Sequence, residues 1–117
     1  MAQHMDLGRQ GEDLAAQHLY GLGFTLLHRN WRYAHLEIDI IATKNGMLHF
    51  VEVKLRSSPD FGPPEAHVNR KKFMYLARAA EAFLHQNKGY RYICFDILAI
   101  NLSRGKKEFF LIEDVFM

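Results

Sequence analysis

Leu36-Glu37-Ile38-Asp39-Ile40-Ile41-Ala42-Thr43-Lys44-Asn45-Gly46-Met47-Leu48-His49-Phe50-Val51-Glu52-Val53-Lys54 places two strand-like runs on either side of an Asn-Gly pair. Asn-Gly between alternating apolar runs is the strongest short-range hairpin signal, a type I′ turn with both central residues at positive φ. With Asn45 and Gly46 as the whole loop, the numbers of paired residues sum to 91. Asp39 then faces Glu52, and Glu37 faces Lys54. Directly opposed side chains share a sheet face, with Cβ atoms about 4.5–5.5 Å apart. Two carboxylates held that close repel each other, and a divalent cation between them removes the cost.

The alternation assigns the faces. Ile38, Ile40, Val51 and Val53 share one, expected to be the core side, and Glu37, Asp39, Glu52 and Lys54 share the other. A solvated face would account for the charged set without any chemistry. Against that, Ile41 and Phe50 continue the charged face as large apolar residues, and the acids oppose each other instead of pairing with bases. Carboxylates, backbone carbonyls and water are the ligands of Mg²⁺ or Mn²⁺, not of zinc. Asp39 and Glu52 each offer an oxygen, and the backbone carbonyl of Val53 offers a third. Lys54 points to the same side, where its ammonium can orient or deprotonate a water and stabilise charge on a phosphate. Glu37 is either a neutralising partner for Lys54 or a further ligand.

Around this hairpin the chain has 117 residues, 49% of them apolar, which suits one globular domain over residues 1–117. No apolar run approaches a membrane span, residues 1–6 carry no secretory pattern, and a single cysteine, Cys94, permits no internal disulfide. These features favour the cytoplasm and no membrane partner. The net charge of +2 diagnoses nothing, but nine of the fifteen Lys and Arg residues fall between Arg29 and Arg78, the stretch that also holds the acidic hairpin.

Leu7, Gly11, Leu14, Ala15, His18 and Leu22 recur at helical spacing, giving a first helix over about residues 6–22. A short strand over 24–31 precedes the hairpin strands 33–43 and 47–56. Residues 57–65 contain all three prolines and read as a loop. A second helix runs from an N-cap at Asn69 to Asn87, with Phe73, Leu76, Ala77, Ala80, Phe83 and Leu84 as its apolar stripe. Strands over 90–100 and 106–112 complete an αβββαββ order, which predicts an α/β fold with a mixed central sheet flanked by helices.

Asp39 followed by Glu52-Val53-Lys54 resembles the D…(D/E)xK signature of the PD-(D/E)xK nucleases. The wider pattern is more specific: Gly8-Arg9-Gln10-Gly11-Glu12, Arg29-Asn30-Trp31-Arg32, Glu37-Ile38-Asp39-Ile40-Ile41-Ala42, Phe50-Val51-Glu52-Val53-Lys54-Leu55-Arg56 and Phe61-Gly62-Pro63-Pro64-Glu65-Ala66 follow in order. Together they resemble the YraN family of predicted endonucleases, similar to Holliday-junction resolvases, over nearly the whole chain. The resemblance implies a restriction-endonuclease-like αβββαβ core and a divalent-metal nuclease site of Glu12, Asp39, Glu52 and Lys54. Glu12, which periodicity alone would leave as an exposed first-turn acid, becomes a supporting or second-metal ligand. One position departs: the common pattern has glycine just before Glu-Ile-Asp, and this chain has Leu36.

Arg70-Lys71-Lys72 opens the second helix, where cations oppose the helix dipole unless an anion arrives. Lys71 and Lys72, with Lys72 the better match to the family pattern, and Arg29, Arg32 and Arg56 are candidates for phosphate-backbone contacts. Trp31 and Tyr33 can stack on bases, although packing explains both. His35 and His49 read as surface or packing residues, Asp96 as a structural hydrogen-bonder and Cys94 as a small buried hydrophobe. The leading expectation is a Mg²⁺- or Mn²⁺-dependent DNA endonuclease preferring structured or branched substrates, for which a homodimer is attractive because two strands need cutting. The alternatives are a nucleic-acid-binding module with little turnover and an interaction subunit whose acidic face pairs with a protein.

Overall fold

A computed structural model describes residues 2–56, 70–103 and 105–115, with side chains from residue 10 onward. The loop expected over 57–65, the N-cap at Asn69 and the Phe61–Ala66 motif lie outside these residues. The order is α1 (Ala2–Gly21), β1 (Thr25–Tyr33), β2 (Leu36–Lys44), β3 (Met47–Arg56), α2 (Arg70–Gln86), β4 (Ile93–Ser103) and β5 (Lys106–Ile112). This is the expected α/β fold with its αβββαβ core.

The five strands lie in sequence order in one sheet. The β1–β2, β2–β3 and β4–β5 pairs are antiparallel and β3–β4 is parallel, so the sheet is mixed. A parallel pair cannot be closed by a tight turn, which is why the chain needs the crossover that contains α2. Asn45 and Gly46 both have positive φ, at 54° and 76°. The ladder runs through Lys44↔Met47, Ile41↔Phe50 and Ile40↔Val51, the register expected of a two-residue turn. A second tight turn joins β1 to β2, with Tyr33 opposite Leu36 and Ala34 at φ 56°. Leu36 itself is buried in ordinary strand backbone at the start of β2, so the left-handed residue of this turn is Ala34.

Both faces of the sheet are buried. On one, Leu36, Ile38, Ile41, Leu48 and Phe50 pack against Leu76, Ala79, Ala80 and Phe83 of α2. On the other, Ile40, Ala42, Val51, Leu98 and Ile100 pack against Ala15 and Leu19 of α1. The single core face expected for Ile38 and Ile40 is therefore corrected. Ile38 joins the α2 cluster and Ile40 the α1 cluster, and the change falls at Asp39 between them. Leu19 replaces Leu22 as the deep contact of α1, because the helix ends at Gly21 and leaves Leu22 exposed. A Cβ on Gly11 would stand 3.0 Å from Leu55 Cδ2, so the small residue lets α1 lie close against β3. That closeness brings the neighbouring Glu12 to the sheet.

Gly46 has open space where a Cβ would go, so a substitution there tests backbone strain alone. Gly46→Ala is expected to cost about 1–2 kcal/mol in urea unfolding, the penalty for an L-residue in left-handed backbone.

Candidate metal and nucleic-acid site

The β2–β3 ladder stops at Ile40↔Val51, one pair before the acids would meet. From there the Asp39 side chain takes over: its Oδ2 accepts the Val53 backbone N–H at 2.8 Å. A buried N–H without an acceptor is costly, so the carboxylate closes a gap that the backbone leaves open. Extended backbone presents the N–H and C=O of one residue to the same strand edge, so the Val53 carbonyl also opens toward β2. Asn30 lies across β1 from Asp39, in the gap between the Arg29↔Ile40 and Trp31↔Ile38 pairs, with φ 54°. Its Nδ2 donates to Glu12 Oε2, tying α1 to this row.

Asp39 carries the electrostatic signature of the site. Its pKa is raised from 3.8 to about 6. Burial is the largest cause, with Glu52, Glu37 and Glu12 adding repulsion against the lowering effect of the Val53 hydrogen bond. Three carboxylates, from α1, β2 and β3, thus act on Asp39. Asp39, Glu37, Glu52, Lys72 and Tyr75 line a cavity of about 290 Å³. A larger hollow of about 650 Å³, lined by Tyr33, Leu36, Arg78 and Leu84, adjoins it at Leu36 and, among the described residues, holds only Glu81 as an acid.

The Glu37–Lys54 pair expected from the register does not form, because the strands have already parted. Glu37 instead accepts from Arg32 Nε at 3.1 Å, its register partner on β1. Lys54 Nζ stands 3.5 Å from Glu52 Oε1, and Lys72 Nζ of α2 reaches the same oxygen at 2.5 Å. The two lysines diverge. Burial and then Lys72 lower the pKa of Lys54. Burial also acts to lower Lys72, but the Glu52 hydrogen bond and the other nearby groups outweigh it and raise the Lys72 value.

A family model described as "Uncharacterised protein family UPF0102" matches residues 11–100. The chain belongs to UPF0102. This is the YraN family that the motifs resemble, and the matched span includes Glu12, Asp39, Glu52, Lys54 and Lys72. A UPF0102 protein of Flavobacterium johnsoniae is 45% identical over 105 residues, covering 86% of this chain and 85% of the relative. One from Flavobacterium psychrophilum is 41% identical over 116 residues, covering 99% and 98%. A third, from Bacteroides thetaiotaomicron, is 37% identical over 116 residues, covering 99% and 96%.

Within this UPF0102 chain, the other cations expected on phosphate are scattered. Arg32 is exposed beside Glu37, Arg29 pairs with Asp13 at 2.7 Å, and Lys71 lies 5.9 Å over the Tyr75 ring. Arg56 is half-buried at the end of β3 in register with Asn101. Trp31 packs edge-on against Phe83 and stacks on Tyr33, the packing role anticipated for it. Two site features escaped the sequence reading: Asn30, which no periodicity marks, and the seat of Lys72 on Glu52. No helix among the described residues is long and apolar enough to cross a membrane.

A carboxyl whose folded pKa is raised binds its proton more tightly folded than unfolded. Stability therefore falls as pH rises from about 4 to about 6, by no more than roughly 3 kcal/mol from Asp39. Chemical unfolding across that window, without divalent metal, should show this slope, and Asp39→Asn should remove it.

Proposed function

We propose that this protein is a divalent-metal-dependent phosphodiesterase, a DNA endonuclease acting on structured or branched substrates. The observation that carries the reading is the crowding of carboxylates around part-buried Asp39, beside two lysines, where β2 and β3 part. The donor set fits a hard cation: Asp39 Oδ1 and Glu52 Oε2 are carboxylate oxygens outside the contacts described above, and the Val53 carbonyl faces the same gap. These three would hold Mg²⁺ or Mn²⁺, which supplies Lewis-acid polarisation of a phosphoryl oxygen and acidifies water.

The chain's own groups divide the remaining work. Lys54 Nζ, its pKa lowered by burial and by Lys72, gives up a proton more readily than an ordinary lysine and can take one from an attacking water. Lys72 Nζ keeps its charge and can turn from Glu52 to a phosphate oxygen once a metal ion occupies the carboxylate. Glu12, held by Asn30, adds negative potential that favours the cation. Arg32, beside Glu37, and Lys71, over Tyr75, are exposed next to residues that line the cavity and offer phosphate-backbone contacts.

One observation favours a second reading, a nucleic-acid-binding module with the nuclease fold and little turnover: a single oxygen of Glu52, Oε1, holds both Lys54 and Lys72. A cleavage panel decides between them, using single-stranded, duplex, flap and four-way DNA with Mg²⁺, Mn²⁺ or EDTA. Metal-dependent cleavage should fall by about 100-fold or more in Asp39→Asn, Glu52→Gln and Lys54→Ala, with folding retained. Variants that cut as fast as the parent under Mn²⁺ would sink the assignment. Salt-dependent binding without cleavage of any substrate would favour the module.

A further inference from the structure

One flank of α2 runs along both the acidic cavity and the larger hollow beside it. Tyr75, Arg78, Ala82 and His85 follow at spacings of three, four and three, so their side chains form one row on the helix. Tyr75 lines the acidic cavity, and the other three line the hollow. Leu36 lines both, and Tyr33, its pair across the β1–β2 turn, lines the hollow. From Tyr75 to His85 the helix rises about 15 Å, the reach of a few nucleotides of an extended strand.

The hollow differs in character from the acidic cavity. Its volume, about 650 Å³, falls within the range of about 300–1,000 Å³ typical of ligand sites. Arg78, Lys88 and the His85 imidazole face it, against Glu81 as its single acid among the described residues. Arg29, Arg32, Lys54 and Lys72 each hold a carboxylate, whereas Arg78 and Lys88 are exposed and form no ion pair with a described residue. Compensation of the helix dipole accounts for His85 and Lys88 at the C-terminal end of α2, but not for Arg78 in its middle. Tyr33 is 47% exposed, yet its ring is held in place. It lies parallel to Trp31, with centroids 6.5 Å apart, and Trp31 meets Phe83 of α2 edge-on. A ring fixed in this way loses little entropy when a flat partner stacks on it.

A cationic groove with an aromatic platform suits single-stranded nucleic acid: cations track the phosphates and the ring takes the face of a base. A base inside a duplex has no such face to offer, because both are already stacked on its neighbours. We propose that the hollow binds an unpaired DNA strand next to the phosphodiester held at Asp39, with a base on Tyr33 and phosphates on Arg78 and Lys88. This rests on the nuclease reading of the adjoining cavity, and it gives the preference for branched substrates a physical cause. Flaps and junctions carry a loose strand beside the scissile bond, and plain duplex does not.

Binding measured without cleavage tests the hollow separately from the chemistry. Fluorescence anisotropy in EDTA compares a labelled blunt duplex with the same duplex bearing an oligothymidine flap, using the full-length protein. The parent should bind the flap more tightly. Tyr33→Ala should weaken flap binding by about 5- to 150-fold, the loss of one stacked base, and leave the blunt duplex unchanged. Tyr33→Phe, which keeps the ring, should bind the flap as the parent does. Arg78→Ala should reduce the slope of log affinity against log salt by about 0.7 for free oligothymidine. Both positions are exposed and alanine suits a helix, so the Arg78 variant provides a test even if circular dichroism shows Tyr33→Ala misfolded. No preference of the parent for the flap, or a loss shared equally by flap and blunt duplex, would overturn the strand site. So would unchanged DNA binding with an altered oligomeric state in size-exclusion chromatography, which would give the hollow to a second copy of the chain. Variants that bind the flap normally, while Asp39→Asn abolishes cleavage, would remove the strand site and leave the nuclease reading standing. Flap-selective binding lost in Tyr33→Ala, without cleavage of any substrate by the parent, would support the strand site and remove only the catalytic assignment.

Discussion

The hydrogen bond from Val53 N–H to Asp39 Oδ2 is the constraint on which the candidate site depends. It marks the point where β2 stops pairing with β3 and a side chain replaces the backbone as acceptor. Without the parting, Asp39 and Glu52 would stand opposed at close range and repel. With it, the strands open a gap into which the Val53 carbonyl, both carboxylates and Lys54 can present polar atoms. The gap persists because its backbone donor is satisfied, and Asp39 can satisfy it with one oxygen while keeping the other. Its position midway between Ile38, packed under α2, and Ile40, packed under α1, shows that the surrounding core is built around the same break.

The site is electrostatically unbalanced in a directed way. Burial and three neighbouring acids act against ionisation of Asp39, while Glu52 keeps two ammonium groups close. The result is a cluster of carboxylates lining one cavity, with two ammonium groups beside it. Such an arrangement costs stability in the free protein, and functional sites are where perturbed titrations of this kind gather. The like charges of Lys54 and Lys72 sharpen the division: one ammonium is pushed toward neutrality and the other is held charged by the acid they share.

How much of this could be seen beforehand depended on the range of the interaction. The turn at Asn45-Gly46 is local chemistry, so register arithmetic held from Ile40 to Met47. It failed one pair later because nothing local announces that a ladder ends. That depends on whether an aspartate can take over a backbone role across the gap. The register offers Glu37 either to Lys54 or to a metal only if pairing continues, and it goes to Arg32 because the β1–β2 ladder persists where β2–β3 does not. Lys72 was legible as a cation in a helix first turn, but its seat on Glu52 depends on where the crossover lands α2. Glu12 came from motif resemblance alone. Its anchor, Asn30, takes left-handed backbone in mid-strand, a feature no hydrophobic pattern encodes.

The strand β3 shows why parity matters more than proximity in this fold. Its even positions, Leu48, Phe50, Glu52 and Lys54, look toward α2, first as core and then as chemistry. Its odd positions, His49, Val51, Val53 and Leu55, look toward α1 and the segment after β5. Glu52 and Lys54 are thereby kept on one face at one end, and His49, beside Cys94 and Asp96 of β4, on the other face at the other end. A slip of one residue in β3 would exchange the faces and destroy both groupings at once. The Asn45-Gly46 turn on one side and the long parallel ladder with β4 on the other hold that register, which makes them as much a part of the candidate site as the carboxylates.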